Sequence, residues 1–571
     1  MPSSDSSEEA SRPTKITKMD DSLDITSATT GTTEIPSYRP DAKTRRYDRQ
    51  LRLWASAGQR SLESARVLLV GCDATGCQAL KNLVLPGISH FTILSPNLTT
   101  SQDVATNFFL HPDSVGLPIA EQSVKYLKEL NPAVEGFAKT EDPSSLLVTD
   151  RDFFTSFTLI IASNIQPSLE LQLADLLWQT SASVGGPDIP LIAIRNSGFV
   201  GRVEIQLREH SVVDTHPDTT HTLRLDAPFA ALEQHARSLD LATMDSMEHS
   251  HIPWVVLLVR AASIWRESHN GRLPESSEEK AEFKETLKKD KVKGDEENYE
   301  EALAQAYRVW GKSELPWEIQ QLLNDDSVKN ISANSKNLHI LLHTLTQYVS
   351  AAPHLPPTSP SLPDMHSSTT SYVHLQNLYK NEYQSDLKRF KVLLSETLQK
   401  VGLEEGTVPD EEIEGFVKNV GGVGIIKGTP LIDSKMGQGL IVEAITNYQY
   451  DEYDGSSTCF AMHLAFLAAE RFYASHKRWP GAKAMVNVAE DTSEVEEILK
   501  GVFGGKEVED IFIECVAEVT RGGFGTLPTT AAFLGGVVAQ EAIKLVTNQY
   551  SPLDNTVIVD LIKSQSAKFK F

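Results

Sequence analysis

The chain has 571 residues, 40% of them hydrophobic, and a formal net charge of −24. That balance argues against a nucleic-acid partner, whose phosphates need a basic face, and the length suits three or four domains of ~150 residues. The four cysteines (Cys72, Cys77, Cys459 and Cys515) form no CxxC pair, which argues against a disulfide framework or a structural zinc centre.

Residues 1–40 are rich in Ser, Thr, Asp and Glu. They hold too little apolar surface to offset ordering entropy and read as a disordered tail. No apolar region suited to a signal peptide is read in them, and no apolar run elsewhere is read as approaching the ~20 residues of a membrane span. The expectation is a cytoplasmic or nuclear protein without a membrane partner.

From Lys43 the pattern changes. Tyr47, Leu51 and Trp54 fall at helical spacing, with Arg45, Arg49 and Arg52 on another face. The apolar run Arg66–Val70 then leads into Gly71-Cys72-Asp73-Ala74-Thr75-Gly76 and a helical pattern from Cys77 to Leu85. This is the strand, glycine loop and helix order of a dinucleotide- or ATP-binding unit. Gly71 and Gly76 are in place, but Asp73 stands where backbone must approach a phosphate. A carboxylate ~4 Å from an anion costs about 4 kcal/mol at an effective dielectric of ~20. The loop therefore predicts the fold and argues against the nucleotide.

Phe91–Leu94, Leu159–Ala162 and Leu191–Ile194 read as buried parallel strands, and Ala120–Leu130 and Leu169–Thr180 as crossover helices. The sum is an α/β, doubly wound, Rossmann-like sheet. A dehydrogenase would need an acid ~20 residues past the loop for the ribose; the second strand ends in Leu94-Ser95-Pro96-Asn97.

After residue 207 this rhythm stops. Residues 208–515 read as a mainly helical insertion, with a proline-rich loop or linker over 351–364, a long amphipathic helix over 370–402 and another helix over 456–476. Glu248-His249-Ser250-His251 offers two imidazoles without a third ligand at suitable spacing, so these histidines read as structural. Asp410-Glu411-Glu412 and Glu494–Glu497 read as solvated helix faces. Residues 516–571 return with a small-residue helix and strand signals over Val557–Ile562 and Ala567–Phe571.

Three blocks carry a family resemblance: Tyr47-Asp48-Arg49-Gln50-Leu51-Arg52-Leu53-Trp54, Lys81-Asn82-Leu83-Val84-Leu85-Pro86-Gly87-Ile88, and Ala532-Phe533-Leu534-Gly535-Gly536 followed by Ala539-Gln540-Glu541. In this order they resemble the ubiquitin-like-modifier-activating enzymes, over residues 43–207 and 516–571. Within the insertion, His251-Ile252-Pro253-Trp254, Asn270-Gly271-Arg272-Leu273-Pro274, Leu362-Pro363-Asp364-Met365 and Leu375-Gln376-Asn377-Leu378-Tyr379 are similar to the regulatory-subunit branch that serves the NEDD modifier. The resemblance implies an adenylation fold in two parts, 41–207 and 516–571, around an insertion that lacks the family's nucleophile.

The family's nucleotide residues are replaced. Asp73 takes the place of the central glycine, and Ser95 and Asn97 stand where acids follow the second strand. Asn107 stands at the Arg position and Phe108 at the Gln, Ile119 near the Lys, and Ser163 near the metal-binding Asp. Without those cations and carboxylates a triphosphate and its Mg²⁺ lack ligands. The resemblance thus implies a pseudo-adenylation half that binds no cofactor or metal itself, with ATP and Mg²⁺ in a cysteine-bearing catalytic partner subunit.

One group is retained. In the family, the Arg matching Arg49 reaches across the dimer to ATP in the partner, where a guanidinium can stabilise developing charge. From spacing alone, Arg45, Arg49 and Arg52 also read as a solvated basic face, with Asp48–Arg52 an i,i+4 pair. Neither Cys459 nor Cys515 has the Pro- and Arg-containing context of the family's nucleophile, and Cys515 reads as a core residue. A regulatory subunit of a SUMO-activating enzyme and a non-enzymatic scaffold of the cullin-modification pathway stand as alternatives; the large insertion argues against the first.

Overall fold

The computed structural model describes residues 41–182, 186–215, 223–431, 456–482, 487–503 and 508–571. The expected tail over 1–40 lies outside them. Among the described residues there are ten strands: β1 (Arg66–Val70), β2 (His90–Leu94), β3 (Glu135–Lys139), β4 (Leu159–Ser163), β5 (Leu191–Ser197), β6 (Val200–Gln206), β7 (Glu209–Val213), β8 (Val423–Lys427), β9 (Thr556–Asp560) and β10 (Gln565–Phe569). Eight of them form one sheet in the order β10-β9-β6-β5-β4-β1-β2-β3. β1 to β5 run parallel, while β6, β9 and β10 extend the sheet antiparallel.

Alternation along β1 explains how the sheet is covered on both faces. Val67 and Leu69 enter a core with Leu80, Leu83, Leu534 and Val538, beneath the helices Ala74–Val84 and Pro528–Thr547. Leu68 and Val70 enter the opposite core with Leu169, Leu173 and Leu177 of the helix Pro167–Ala182. Successive side chains of a strand point to opposite faces, so a strand apolar at every position is one buried on both sides.

The antiparallel end of the sheet is covered by helices expected to belong to the insertion. Val200, Ile558, Phe569 and Phe571 pack with Phe460, Phe466, Leu499, Cys515 and Val519 of the helices Ser456–His476, Val488–Val502 and Asp510–Gly522. The boundary read at 515/516 falls inside the last of these.

The rest of the insertion has two helical cores. One gathers Trp254, Val255, Leu258, Phe283 and Tyr299; the other gathers Ile340, Leu345, Phe390 and Phe416. The helix Thr369–Val401 joins them. Its Leu375 and Tyr379 lie in the first core, and Tyr383, Leu387, Phe390, Leu394 and Leu398 in the second; steps of three and four residues form one continuous apolar stripe.

Two of these expectations gain detail and one is overturned. The insertion also contains an antiparallel two-stranded sheet, β7 with β8. The proline-rich segment is the expected loop and is held in place, because Asp386 accepts from Thr358 N at 2.8 Å, Arg224 Nη2 at 3.0 Å and Tyr348 OH at 2.6 Å. The helix Pro528–Thr547 is long and apolar enough to cross a membrane, contrary to the sequence reading. Its apolar residues enter the cores described above, and half of its most apolar window is buried there.

Candidate functional site

The glycine loop connects β1 to the helix Ala74–Val84, and Asp73 is that helix's N-cap. Its Oδ1 accepts from Gly76 N at 3.0 Å and from Ser163 Oγ at 2.5 Å. Its Oδ2 accepts from Asn164 Nδ2 at 2.6 Å and from Thr526 Oγ1 at 3.4 Å. The carboxylate therefore holds the helix N-terminus, where N–H groups and the positive end of the dipole would otherwise attract a phosphate. The anion at this loop is covalently part of the chain.

The surrounding groups complete a polar cluster. Asn164, at φ +50°, accepts from Asn196 N at its Oδ1 at 3.0 Å, and its Nδ2 donates to Asn196 Oδ1. Thr75 Oγ1 donates to Asn196 Oδ1 at 3.3 Å, and Asn196 Nδ2 donates to Thr526 Oγ1 at 3.2 Å. Sequence reading missed Asn164, Asn196 and Thr526. It also missed the capping role of Asp73, for which an Asp directly before a helical pattern was the available signal.

Both retained glycines have packing reasons. Gly71 has φ +89°, and a Cβ there would lie 2.4 Å from Ser163 O; a Cβ at Gly76 would lie 2.7 Å from Leu69 Cδ1. They let β1, β4 and the helix approach one another, a demand independent of nucleotide.

The other replaced positions do not supply a nucleotide's ligands. Ser95, Asn107 and Ile119 are buried. Asn107 Nδ2 donates to Cys77 Sγ at 3.3 Å, and its Oδ1 accepts from Phe109 N at 3.0 Å. Asn97 is exposed, and its carbonyl accepts from Ile119 N at 3.0 Å. Phe108 is 84% exposed. With a fixed carboxylate in the loop and no cation among these residues, the site does not fit a triphosphate.

Arg49 is exposed on the helix Ala42–Ser64. Of its neighbours, Arg52 pairs with Asp48 at 3.1 Å, as the i,i+4 spacing suggested. Cys515 is buried in an apolar core, where burial pushes its thiol up to about 12. Cys459 is buried in the same core. A thiol in such surroundings is a poor nucleophile. His249 is structural: its Nδ1 meets Glu296 Oε1 at 2.7 Å and its ring stacks on Tyr299. Among the described residues no group of three or more His, Cys, Asp or Glu is placed to hold a metal ion. The acidic runs lie on exposed helix faces, as expected, with surface ion pairs from Asp410 to Lys391 at 2.7 Å, Glu411 to Arg60 at 2.9 Å and Glu494 to His476 at 2.6 Å.

A doubly wound sheet closed by antiparallel strands, with its first glycine loop sealed by a carboxylate, defines a degenerate member of the adenylation-fold class, and residues 47–175 match the ThiF family. The likeness to individual proteins runs nearly the whole length. The chain is 32% identical over 541 residues to the NEDD8-activating enzyme E1 regulatory subunit of Danio rerio, covering 93% of this chain and 99% of that protein. It is 33% identical over 548 residues to the same-named protein of Xenopus laevis, covering 92% and 98%, and 32% identical over 534 residues to the regulatory subunit AXR1 of Arabidopsis thaliana, covering 92% and 96%. The chain belongs to the family of NEDD8-activating enzyme E1 regulatory subunits.

Proposed function

We propose that this chain is the non-catalytic, regulatory subunit of a heterodimeric enzyme that activates NEDD8. The catalytic subunit binds ATP and Mg²⁺, adenylates the modifier's C-terminal glycine with release of pyrophosphate, and then takes the modifier onto its own cysteine as a thioester with release of AMP. This chain supplies dimer surface and part of the cleft for the modifier, and works in the cytoplasm or nucleus. The observation that carries the reading is the Asp73 carboxylate on Gly76 N at 3.0 Å, because a loop holding its own anion has no place for a phosphate.

Arg49 is the group that acts on the reaction. Its guanidinium, exposed on the first helix, reaches the phosphates of ATP in the catalytic subunit and stabilises charge during adenylation.

ATP–pyrophosphate exchange tests this. The expected result is no exchange by the chain alone, with or without NEDD8, and exchange once the cysteine-bearing adenylating subunit is added. Exchange by the isolated chain overturns the reading. A chain that forms no stoichiometric complex with such a subunit returns the scaffold alternative.

A further inference from the structure

The helix that carries Arg49 is folded back on itself. Lys43 Nζ and Glu63 Oε2 stand 2.8 Å apart, although twenty residues of straight helix would separate them by ~30 Å. The chain reverses at Trp54, with φ −125°, and Ala55, with φ +53° and ψ −174°. An alanine in the left-handed region persists only where its surroundings hold it there.

Those surroundings include a residue from the other end of the chain. At the reversal, Gln549 Nε2 donates to the Trp54 carbonyl at 2.9 Å. Gln549 is buried and directly follows Asn548, the C-cap of the helix Pro528–Thr547, so it is carried by an element packed on the central sheet. Gly58 makes the approach possible: a Cβ there would lie 2.9 Å from Gln549 Nε2 and 2.8 Å from Trp54 Cβ.

The outer arm is anchored further along. The Tyr47 hydroxyl accepts from Asn131 Nδ2 at 3.0 Å, and Arg46 Nη2 donates to Leu130 O at 2.9 Å. Arg49 lies between the Tyr47 anchor and the reversal and is exposed.

The geometry points to Gln549 as a positioning residue for Arg49: by holding the Trp54 carbonyl it fixes the angle of the helical hairpin, and with it the point where the Arg49 guanidinium meets the nucleotide of the catalytic subunit. This inference rests on the trans role of Arg49 given above. A misplacement of about 1 Å at a reacting centre can cost ~100-fold in rate, so a single hydrogen bond at the hinge is enough to matter.

The test is a double-mutant cycle on the reconstituted full-length heterodimer, reading ATP–pyrophosphate exchange for Arg49→Ala, Gln549→Met and the pair. Gln549→Met keeps the side chain's size and removes the donor. The expected result is exchange slowed about fivefold or more by Gln549→Met, with the pair no slower than Arg49→Ala alone and heterodimer yield unchanged. A general loss of stability would instead slow the Arg49→Ala enzyme by the same further factor. That multiplicative result, or an unchanged rate for Gln549→Met when Arg49→Ala is slow, overturns the inference. An unchanged rate for Arg49→Ala overturns the underlying reading, and the inference falls with it.

Discussion

Asp73 and Thr526 meet at 3.4 Å although 453 positions separate them. The carboxylate that closes the first loop is thus bonded to the segment on which the chain returns to the sheet. Replacing Asp73 by Gly restores the family's usual residue, but it removes four acceptor contacts, the helix cap among them. The expected outcome is a loss of about 2 kcal/mol of stability, read by thermal denaturation. Calorimetric titration should detect no ATP binding to the variant, because Asn107, Ile119 and Ser163 still lack the charges that a triphosphate and Mg²⁺ require.

Two adjacent residues of β7 set the response to acid. Burial, aided by the nearby Lys336 charge and opposed by Asp188, pushes His210 down to about 4 from its usual 6.5. The unfolded chain then takes up a proton near 6.5 while the native chain waits until about 4, so stability is full above 6.5 and falls as pH drops through that window. Denaturant titrations at pH 7 and pH 5 should differ by about 2 kcal/mol more in the native protein than in His210→Phe.

Glu209 controls a lower window. Burial raises its carboxyl, but the His339 ring 3.3 Å away and the Lys336 charge outweigh this and hold it at about 2, below the usual 4.5. Its contribution is present above 4.5 and is lost as pH falls towards 2. Glu209→Gln should therefore narrow the stability difference between pH 4.5 and pH 3, measured by the same titrations.

A buried ionic network fastens the helix Ser456–His476 to the sheet. Arg195 Nη2 meets Glu170 Oε2 at 2.7 Å, Arg195 Nε meets Glu470 Oε1 at 3.4 Å, and Arg202 Nε meets Glu204 Oε2 at 3.0 Å; Arg202 also pairs with Glu470. Removing one partner strands the others in a low dielectric. Arg202→Ala should lose about 3–5 kcal/mol, measured as a lower denaturant midpoint, whereas substitutions at exposed pairs such as Arg52–Asp48 should lose less than about 1 kcal/mol.

Cys515 should be dispensable for chemistry. In the heterodimer, Cys515→Ala should leave thioester formation unchanged on non-reducing gels and lower stability by about 1 kcal/mol. A missing thioester band would restore Cys515 as a nucleophile.

The central sheet was legible because β1, β2, β4 and β5 each contain a short, mainly apolar run, the signature of strands buried on both faces. β3 was not, since it is an edge strand whose Glu135 and Lys139 break any apolar run and which only one neighbour constrains. Asp73 was visible as a defect in a motif, but its partners Asn164, Asn196 and Thr526 are joined only by the fold and leave no periodic trace. Likewise Tyr47, Leu51 and Trp54 matched one helical face, and nothing local announced the reversal at Ala55. That turn depends on Gln549, a contact no sequence window can contain.

The join between β6 and β9 has a consequence for synthesis. Val203 pairs with Val557 and Glu204 with Thr556, so β6 gains its second neighbour only after some 350 further residues have been made. At ~5–20 residues per second, that interval lasts roughly 20–70 s. Throughout it the nascent chain carries a strand with an open hydrogen-bonding edge, a template for pairing with the wrong chain. The return segment must therefore reach the waiting edge before another strand does, and production of intact protein should be sensitive to temperature and to chaperone supply during that interval.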